Sequence, residues 1–139
     1  MIDVRDLRIG NVVNDDTNLA QEIGCKVVGI VESISEENIG LKYLRSDGDT
    51  FYGEEHPINL SPIPLTEELL LKSGFSYDPE SACWKICGLF IRKVESGFSI
   101  FIECEDDWYS NCYFKDFEYL HQLQNIYFAL TGKELMVNL

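Results

Sequence analysis

The sequence has 139 residues and a formal net charge of −13, because 24 Asp and Glu residues outweigh 11 Lys and Arg residues. Hydrophobic residues make up 45% and aromatic residues 12%, which is typical of a folding chain and excludes a disordered acidic tail. The acidic excess is present in both halves. It disfavours direct binding to nucleic acid or to anionic membranes, because both kinds of binding depend on Lys and Arg. We therefore expect a folded domain that binds neither directly.

The cellular location is indicated by the N-terminal segment and the cysteines. The segment MIDVRDLRIGNVV interleaves charged residues with apolar ones and lacks the uninterrupted apolar stretch of a signal peptide. No apolar stretch approaches the roughly 20 residues that a membrane-spanning helix needs. The count of five cysteines is odd, so disulfide pairing within one chain would be incomplete, and reduced thiols are expected without export. We expect a cytoplasmic protein that does not bind membranes.

Residues 1–61 are predicted to form short strands separated by turns. The clearest strand is CKVVGIV (25–31), and another is expected over 39–44. The sequence SDGD (46–49) is a strong turn signal that leads into a strand at 50–52. Four or five short strands in such a short segment are typical of a small antiparallel barrel. The sequence therefore predicts a small N-terminal β-barrel-like subdomain over 1–61.

A proline-containing connector begins the second predicted subdomain, residues 62–139. A short helix follows it, with Thr66 as the N-cap and Gly74 beyond the C-terminal end. Alternating apolar residues after this helix predict a four-stranded antiparallel meander. The expected strands are 82–86, 89–94, 98–104 and 110–114.

The last predicted element is a helix near the C-terminus. Asp116 is expected to cap its start, and Gly132 is expected to end it in a left-handed conformation. Its apolar residues recur at helical spacing: Phe117, Leu120, Leu123, Ile126, Tyr127 and Leu130. The predicted fold class is α+β, with the barrel-like unit followed by a helix–meander–helix unit. We expect the two subdomains to pack together as one compact unit.

Three sequence blocks are distributed along the whole chain: DLRIGN (6–11), PIPLTEELLLKSGF (62–75) and HQLQNIYFALTGKEL (121–135). In this order they resemble a family of small proteins encoded by phages and prophages of Bacteroides-type gut bacteria. The resemblance implies a phage or mobile-element setting. It implies no activity, cofactor or catalytic residue, because none is known for the family.

A zinc site is one alternative that the cysteines leave open. The thiols of Cys83, Cys87, Cys104 and Cys112 are suitable ligands, but only the first pair has a spacing typical of zinc ligands. Strand parity also separates Cys104 from the first two. Packing as small apolar side chains is the better interpretation, so we expect no metal and no cofactor.

Catalytic chemistry has little support in the sequence. The two histidines, His56 and His121, lie in an acidic turn and on the last helix. The acidic pairs lie at predicted turns and at a helix start, where acidic side chains are locally favoured. No phosphate-binding loop or nucleophile motif is present. We expect no catalytic residue. The alternative is an enzyme or small-ligand-binding protein that uses a histidine in a cleft between the subdomains.

Aromatic side chains crowd the predicted meander. If one face of its sheet is uncovered, some of them form a protein-binding patch, whereas two covered faces would make them core residues. The candidate patch residues are Trp84, Phe101, Trp108, Tyr109 and Tyr113.

The leading hypothesis is a non-catalytic accessory protein of phage or prophage type that binds a host or phage protein. A further alternative is an acidic DNA mimic that inhibits a DNA-binding protein by imitating rows of phosphates.

Overall fold

The computed structural model of the protein describes residues 2–17, 25–45, 48–102 and 112–139. Within these ranges the fold is α+β, with two antiparallel sheets and two α-helices, so the predicted α+β class is confirmed. The chain divides into two compact units. The first comprises Met1–Ile63 and Leu120–Glu134, and the second comprises Pro64–Tyr119 and Leu135–Leu139. Residues Pro64–Tyr119 of the second unit are therefore inserted into the sequence of the first.

The first unit contains a five-stranded antiparallel sheet with strand order β4-β3-β2-β1-β5. Its strands are β1 (Val12–Asp15), β2 (Cys25–Ile34), β3 (Ile39–Arg45), β4 (Thr50–Glu55) and β5 (Leu60–Ser61). The predicted barrel closure is wrong for the described residues, where the sheet is open. The physical reason is that β5 pairs with β1 and not with β4, which leaves these two strands at opposite edges.

The core of the first unit follows from strand alternation. Ile39, Leu41 and Tyr43 are at most 2% exposed and lie on the same face of β3, because successive strand residues point to opposite faces. Val13 and Val31 complete the centre of this core from neighbouring strands. The helix α2 (Leu120–Thr131) packs on β1. Its buried residues are Leu120, His121, Leu123, Gln124, Ile126 and Tyr127.

Side-chain amides tie α2 to the N-terminal segment. The Gln124 side chain accepts a hydrogen bond from the Val12 amide at 2.9 Å and donates one to the Gly10 carbonyl at 3.2 Å. Asn11 donates to the Asn125 side chain at 2.8 Å. These bonds join residues more than a hundred positions apart and explain why α2 belongs to the first unit. The predicted subdomain 62–139 grouped this helix with the meander, so the observed division differs there.

The start of α2 also differs from the expectation. Asp116 does not cap the helix, because it lies in a strand and accepts a hydrogen bond from Ser99. The helix begins at Leu120. It ends as predicted, with Gly132 in the left-handed region at a φ of 71° and its amide bonded to the Phe128 carbonyl at 2.8 Å.

The second unit contains the helix α1 (Glu67–Lys72) and a five-stranded sheet with strand order β10-β9-β8-β7-β6. The Thr66 side chain accepts a hydrogen bond from the Leu69 amide at 3.2 Å, which confirms the predicted N-cap. The strands are β6 (Ser76–Asp78), β7 (Cys83–Ile86), β8 (Leu89–Val94), β9 (Gly97–Ile102) and β10 (Cys112–Phe117). The last four lie where the sequence predicted a meander, and β6 is an additional edge strand.

Short turns set the register of this sheet. Ile86 pairs with Leu89, so Cys87 and Gly88 form a two-residue turn between β7 and β8. Both turn residues have positive φ values, 46° and 77°, as the tight hairpin turn of this type requires. Gly97 begins β9 at a φ of 143°, and a Cβ there would lie 2.4 Å from a backbone oxygen of β10. The turn between Ile86 and Leu89, and the equally short turn between Val94 and Gly97, make β7, β8 and β9 consecutive neighbours.

The two ends of the inserted segment are each paired. In the second unit, Pro64 and Tyr119 form an isolated β-bridge, and the Leu65 amide donates to the Glu118 carbonyl at 2.9 Å. In the first unit, the Leu120 amide donates to the Ile63 carbonyl at 2.9 Å. The chain therefore enters and leaves the inserted segment side by side.

Neither helix in the described part of the chain is long and apolar enough to span a membrane.

Candidate functional site

The two faces of the second sheet differ in burial. The β8–β9 register pairs Ile91 with Ile100 and Lys93 with Phe98, which places these side chains on one face. Ile91, Phe98 and Ile100 are at most 4% exposed, and Leu70 of α1 is fully buried. This face supplies the apolar core of the second unit, so the alternate residues of each strand must point the other way.

The opposite face carries a row of aromatic side chains across three strands. Tyr113 of β10 pairs with Phe101 of β9, and Phe101 pairs with Phe90 of β8. The rings of Phe101 and Tyr113 meet edge to face, with their centroids 5.8 Å apart. Cross-strand partners share a face, so the sheet itself aligns these rings. We call Phe90, Phe101 and Tyr113 the aromatic row.

Two cations lie against the aromatic row. The Arg92 guanidinium lies 5.7 Å from the centroid of the Phe101 ring, and the Lys85 ammonium lies 4.9 Å from that of Phe90. Both distances allow attraction between a cation and a ring face. Arg92 is exposed, and Tyr113 is 59% exposed. The row therefore presents rings and a guanidinium to the outside of this sheet.

Ion pairing balances part of this charge. The Lys85 ammonium is 2.7 Å from the Asp78 carboxylate. Hydrogen bonds from Lys85, from the Ser81 hydroxyl and from the Glu80 amide lower the pKa of Asp78 to about 2. Lys85 is thus held in place by Asp78, whereas no hydrogen bond or ion pair within the described residues engages the Arg92 guanidinium.

The position of Tyr113 depends on a β-bulge. The register of β10 against β9 shifts between Tyr113 and Lys115, so one extra residue is accommodated there. Asp116, beyond the bulge, accepts a hydrogen bond from the buried Ser99 hydroxyl. Partial desolvation, together with a hydrogen bond to Asp116, raises the pKa of Tyr113. The bulge and Asp116 therefore fix the tyrosine at the end of the row.

The structure brings together only some of the predicted patch residues. Phe101 and Tyr113 are neighbours in the aromatic row, whereas Trp84 pairs with Ile91 on the core face and is 7% exposed. Its ring lies 4.6 Å from that of Tyr77, and its buried indole nitrogen has no hydrogen-bond partner among the residues that the structure describes. Trp108 and Tyr109 lie outside the described residues.

Sequence reasoning missed Phe90, Lys85 and Arg92. The signal was present in the two-residue turn Cys87-Gly88, because a turn of this length places Lys85 opposite Phe90. The same register puts Trp84 opposite Ile91, at a position expected to be buried. Following the alternation of side chains from β8 through the turn into β7 would therefore have placed Trp84 on the face opposite the aromatic row.

The two histidines occupy different environments. His56 is exposed, and its Nδ1 accepts a hydrogen bond from the Ile58 amide at 3.1 Å, which caps a short 3₁₀ turn. His121 is 3% exposed on α2. Burial lowers the pKa of His121, and the charge of the Asp6 carboxylate opposes this effect. Local packing and capping account for both positions.

The cysteines whose side chains the structure describes are Cys83 and Cys87. Cys83 is buried in β7 and lies 2.9 Å from the Ser81 hydroxyl, whereas Cys87 is exposed in the turn. Cys104 lies outside the described residues, and so does the side chain of Cys112. Among the residues that the structure describes, no group of three or more His, Cys, Asp or Glu side chains is arranged to hold a metal ion.

Comparison with known proteins adds no relative. No family model matches the chain, and no curated protein or solved structure is significantly similar to it.

Proposed function

We propose that the protein is a non-catalytic interaction factor that binds a partner protein through the aromatic row. The resemblance of its three sequence blocks to phage and prophage proteins suggests the setting, a host or phage protein in the bacterial cytoplasm. The proposal concerns binding alone and assigns no reaction to any side chain.

The observation that carries the proposal is the exposed Tyr113 beside Phe101 and Arg92. Tyr113 is 59% exposed although it is part of an ordered ring contact. Tyrosine and arginine are enriched among the few residues that carry most of the binding energy of a protein interface, and aromatic residues are enriched in interfaces generally. Because the sheet holds these side chains in place, little free energy is spent on ordering them when a partner binds.

Site-specific photo-crosslinking tests the proposal. A benzophenone amino acid at position 113 should crosslink a defined protein in lysate from Bacteroides-type cells, with and without induced prophage. The matched control is the same probe at Tyr77, which is 49% exposed and lies on the core-face side of the same sheet. We expect a discrete crosslinked species at position 113 and none at position 77.

Loss of the cation beside the aromatic row should then reduce the crosslink. Arg92→Ala removes the guanidinium over Phe101 and is expected to weaken binding by about tenfold. The control Lys72→Ala removes a cation from α1, where Lys72 pairs with Glu68 at 3.2 Å. Equal effects of the two substitutions, or crosslinks from both probe positions, would contradict binding at the row.

Duplex DNA as a competitor distinguishes the mimicry alternative. A partner held by the aromatic row should remain crosslinked in the presence of DNA, because the row presents rings and a cation instead of rows of carboxylates. Loss of the crosslink on addition of DNA would favour a DNA mimic.

A further inference from the structure

The free edges of the two sheets are protected to different degrees. An exposed edge strand can pair with another chain, and proteins usually prevent this with short strands, bulges, Lys or Pro. The strand β5 has two residues and β6 has three, and β10 carries a bulge beside Lys115. In contrast, β4 has six residues and an uninterrupted register with β3 from Thr50 to Glu55.

The strand β4 has none of these protective features. Its sequence, TFYGEE, contains neither Lys nor Pro, and within the described ranges it pairs with β3 alone. In an antiparallel pair, alternate residues direct their amide and carbonyl groups away from the partner strand. The outer edge of β4 therefore offers alternate backbone groups over a length of about 20 Å.

The side chains of β4 suit an added strand. Tyr52 is 63% exposed, and Phe51 is 38% exposed on the other face, where its ring lies 6.1 Å from that of Tyr43. Gly53 follows them without a side chain, which allows close approach of another backbone. An incoming strand could thus contact an aromatic side chain on each face.

The charged side chains of β4 and of the residue before it are all acidic, although Lys42 of β3 lies opposite Tyr52. Glu54 and Glu55 end the strand, Asp49 precedes it, and no Lys or Arg occurs between positions 49 and 56. Glu54 is exposed, and Glu55 accepts a hydrogen bond from the Asn59 side chain at 3.0 Å. This arrangement favours a positively charged partner and disfavours a second copy of a chain with a net charge of −13.

We propose that β4 binds an extended, basic peptide segment of another protein as an added β-strand. Backbone hydrogen bonds to β4 would provide the general affinity for an extended chain. The carboxylates of Glu54 and Glu55, on opposite faces of β4, would each select a Lys or Arg side chain, and Tyr52, on the same face as Glu54, would contact an apolar side chain two positions away. This surface belongs to the first unit and is independent of the aromatic row.

Fluorescence anisotropy with defined peptides tests the proposal. The probe is a fluorescein-labelled heptapeptide with two adjacent Lys residues at its centre and Val at the other positions, titrated with the 139-residue protein. The first control replaces Lys by Glu, and the second carries N-methyl groups on alternate residues, which remove the donors of one strand edge. We expect binding of the basic peptide, at least about tenfold weaker binding of the methylated one, and none of the acidic one.

Variants of the protein locate the binding edge. Glu54→Lys/Glu55→Lys should abolish the preference for the basic peptide, whereas Glu36→Lys/Glu37→Lys, in the exposed turn after β2, should retain most of it. Tyr52→Pro should block pairing, with circular dichroism as the check on folding. If Tyr52→Pro unfolds the protein, hydrogen exchange of the unsubstituted protein is the test instead. Peptide binding should then slow the exchange of the β4 amides.

Three outcomes would overturn the proposal. These are equal binding of the basic and methylated peptides, unchanged exchange in β4, and a concentration-dependent dimer that forms through β4 in sedimentation. The Arg92→Ala variant should bind the peptide normally, so failure of this proposal and failure of the aromatic-row proposal can be distinguished.

Discussion

The two units differ in how far apart along the chain their paired residues lie. In the second unit, strands that follow one another in the sequence are neighbours in the sheet, and tight turns join β7 to β8 and β8 to β9. In the first unit, β5 pairs with β1, and amides of α2 bond to the segment around Asn11. The second sheet is therefore built from sequence neighbours throughout, whereas the first unit also depends on distant pairings. Substitutions that affect each kind of contact test this difference.

The largest expected effect is at Gly97 in the second unit. Gly97→Ala would place a Cβ 2.4 Å from the Phe117 carbonyl oxygen at a φ of 143°, so β9 and β10 must separate. We expect a loss of about 3 kcal/mol in the free energy of unfolding, measured by urea denaturation.

Gly132→Ala is the matched control for Gly97. Gly132 also has a positive φ, 71°, but a Cβ there would meet nothing within 4 Å. The backbone strain alone should cost about 1 kcal/mol. Equal losses from the two substitutions would show that the close approach of β10 is not what requires glycine at position 97.

A somewhat smaller effect is expected at Gln124 in the first unit. Gln124→Leu leaves the Val12 amide and the Gly10 carbonyl without their side-chain partner. Because the site is buried, the expected loss is about 2 kcal/mol in the same denaturation experiment. Gln122→Leu, at a less buried position on the same helix, should cost less. If Gln124→Leu were neutral, the amide contacts would not be what holds α2 to the first unit.

The pH dependence of stability should report on His121 in the same unit. Burial lowers the pKa of His121 below the ordinary value of 6.5, so the folded state binds its proton less readily than the unfolded state. As the pH falls below about 6.5, the unfolded state gains protons and the free energy of unfolding decreases.

Urea denaturation at several pH values measures this dependence. His121→Gln should flatten the decrease below about 6.5, whereas His56→Gln, at an exposed capping position, should leave most of it in place. An unchanged slope in His121→Gln would assign the dependence to other groups.

The smallest expected effect is a stabilisation at Cys87. This residue has a φ of 46° in a two-residue turn with Gly88, and asparagine adopts that conformation more readily. Cys87→Asn should therefore raise the free energy of unfolding by about 0.5 kcal/mol, detectable as a higher thermal midpoint. Cys87→Val should lower it, because a β-branched residue is strained at a positive φ. If Cys87→Val were the more stable of the two variants, the turn at Cys87 and Gly88 would not be what sets the register of the second sheet.

The predictable parts of the fold were those encoded in neighbouring residues. Alternation and turn residues located β7 to β10, and Thr66 and Gly132 marked helix ends through their own chemistry. The strand β6 was missed because its three residues are too few to show alternation. The barrel prediction failed because nothing near Leu60 in the sequence indicates that β5 pairs with β1.

The candidate site was predictable to a similar extent. Tyr113 and Phe101 were found because aromatic residues in adjacent strands are visible in the sequence, whereas Trp84 was misplaced because register was not followed through the turn. The cations beside the row were missed for the same reason. The packing partner of α2 could not be deduced, since its apolar residues would suit either sheet and the deciding groups are the polar Gln124 and Asn125.

The paired ends of the inserted segment have a consequence for biosynthesis. On the ribosome, β1 to β5 emerge before residues 64–119, and α2 emerges only afterwards. The first sheet therefore lacks α2 until the whole meander has been translated. The second unit can form most of its hairpins during that interval, and its bridge at Pro64 and Tyr119 would bring the following residues back beside Ile63. Once residues 64–119 have folded, the effective loop between the first sheet and α2 is shorter. The entropic cost of bringing α2 to that sheet would therefore be lower.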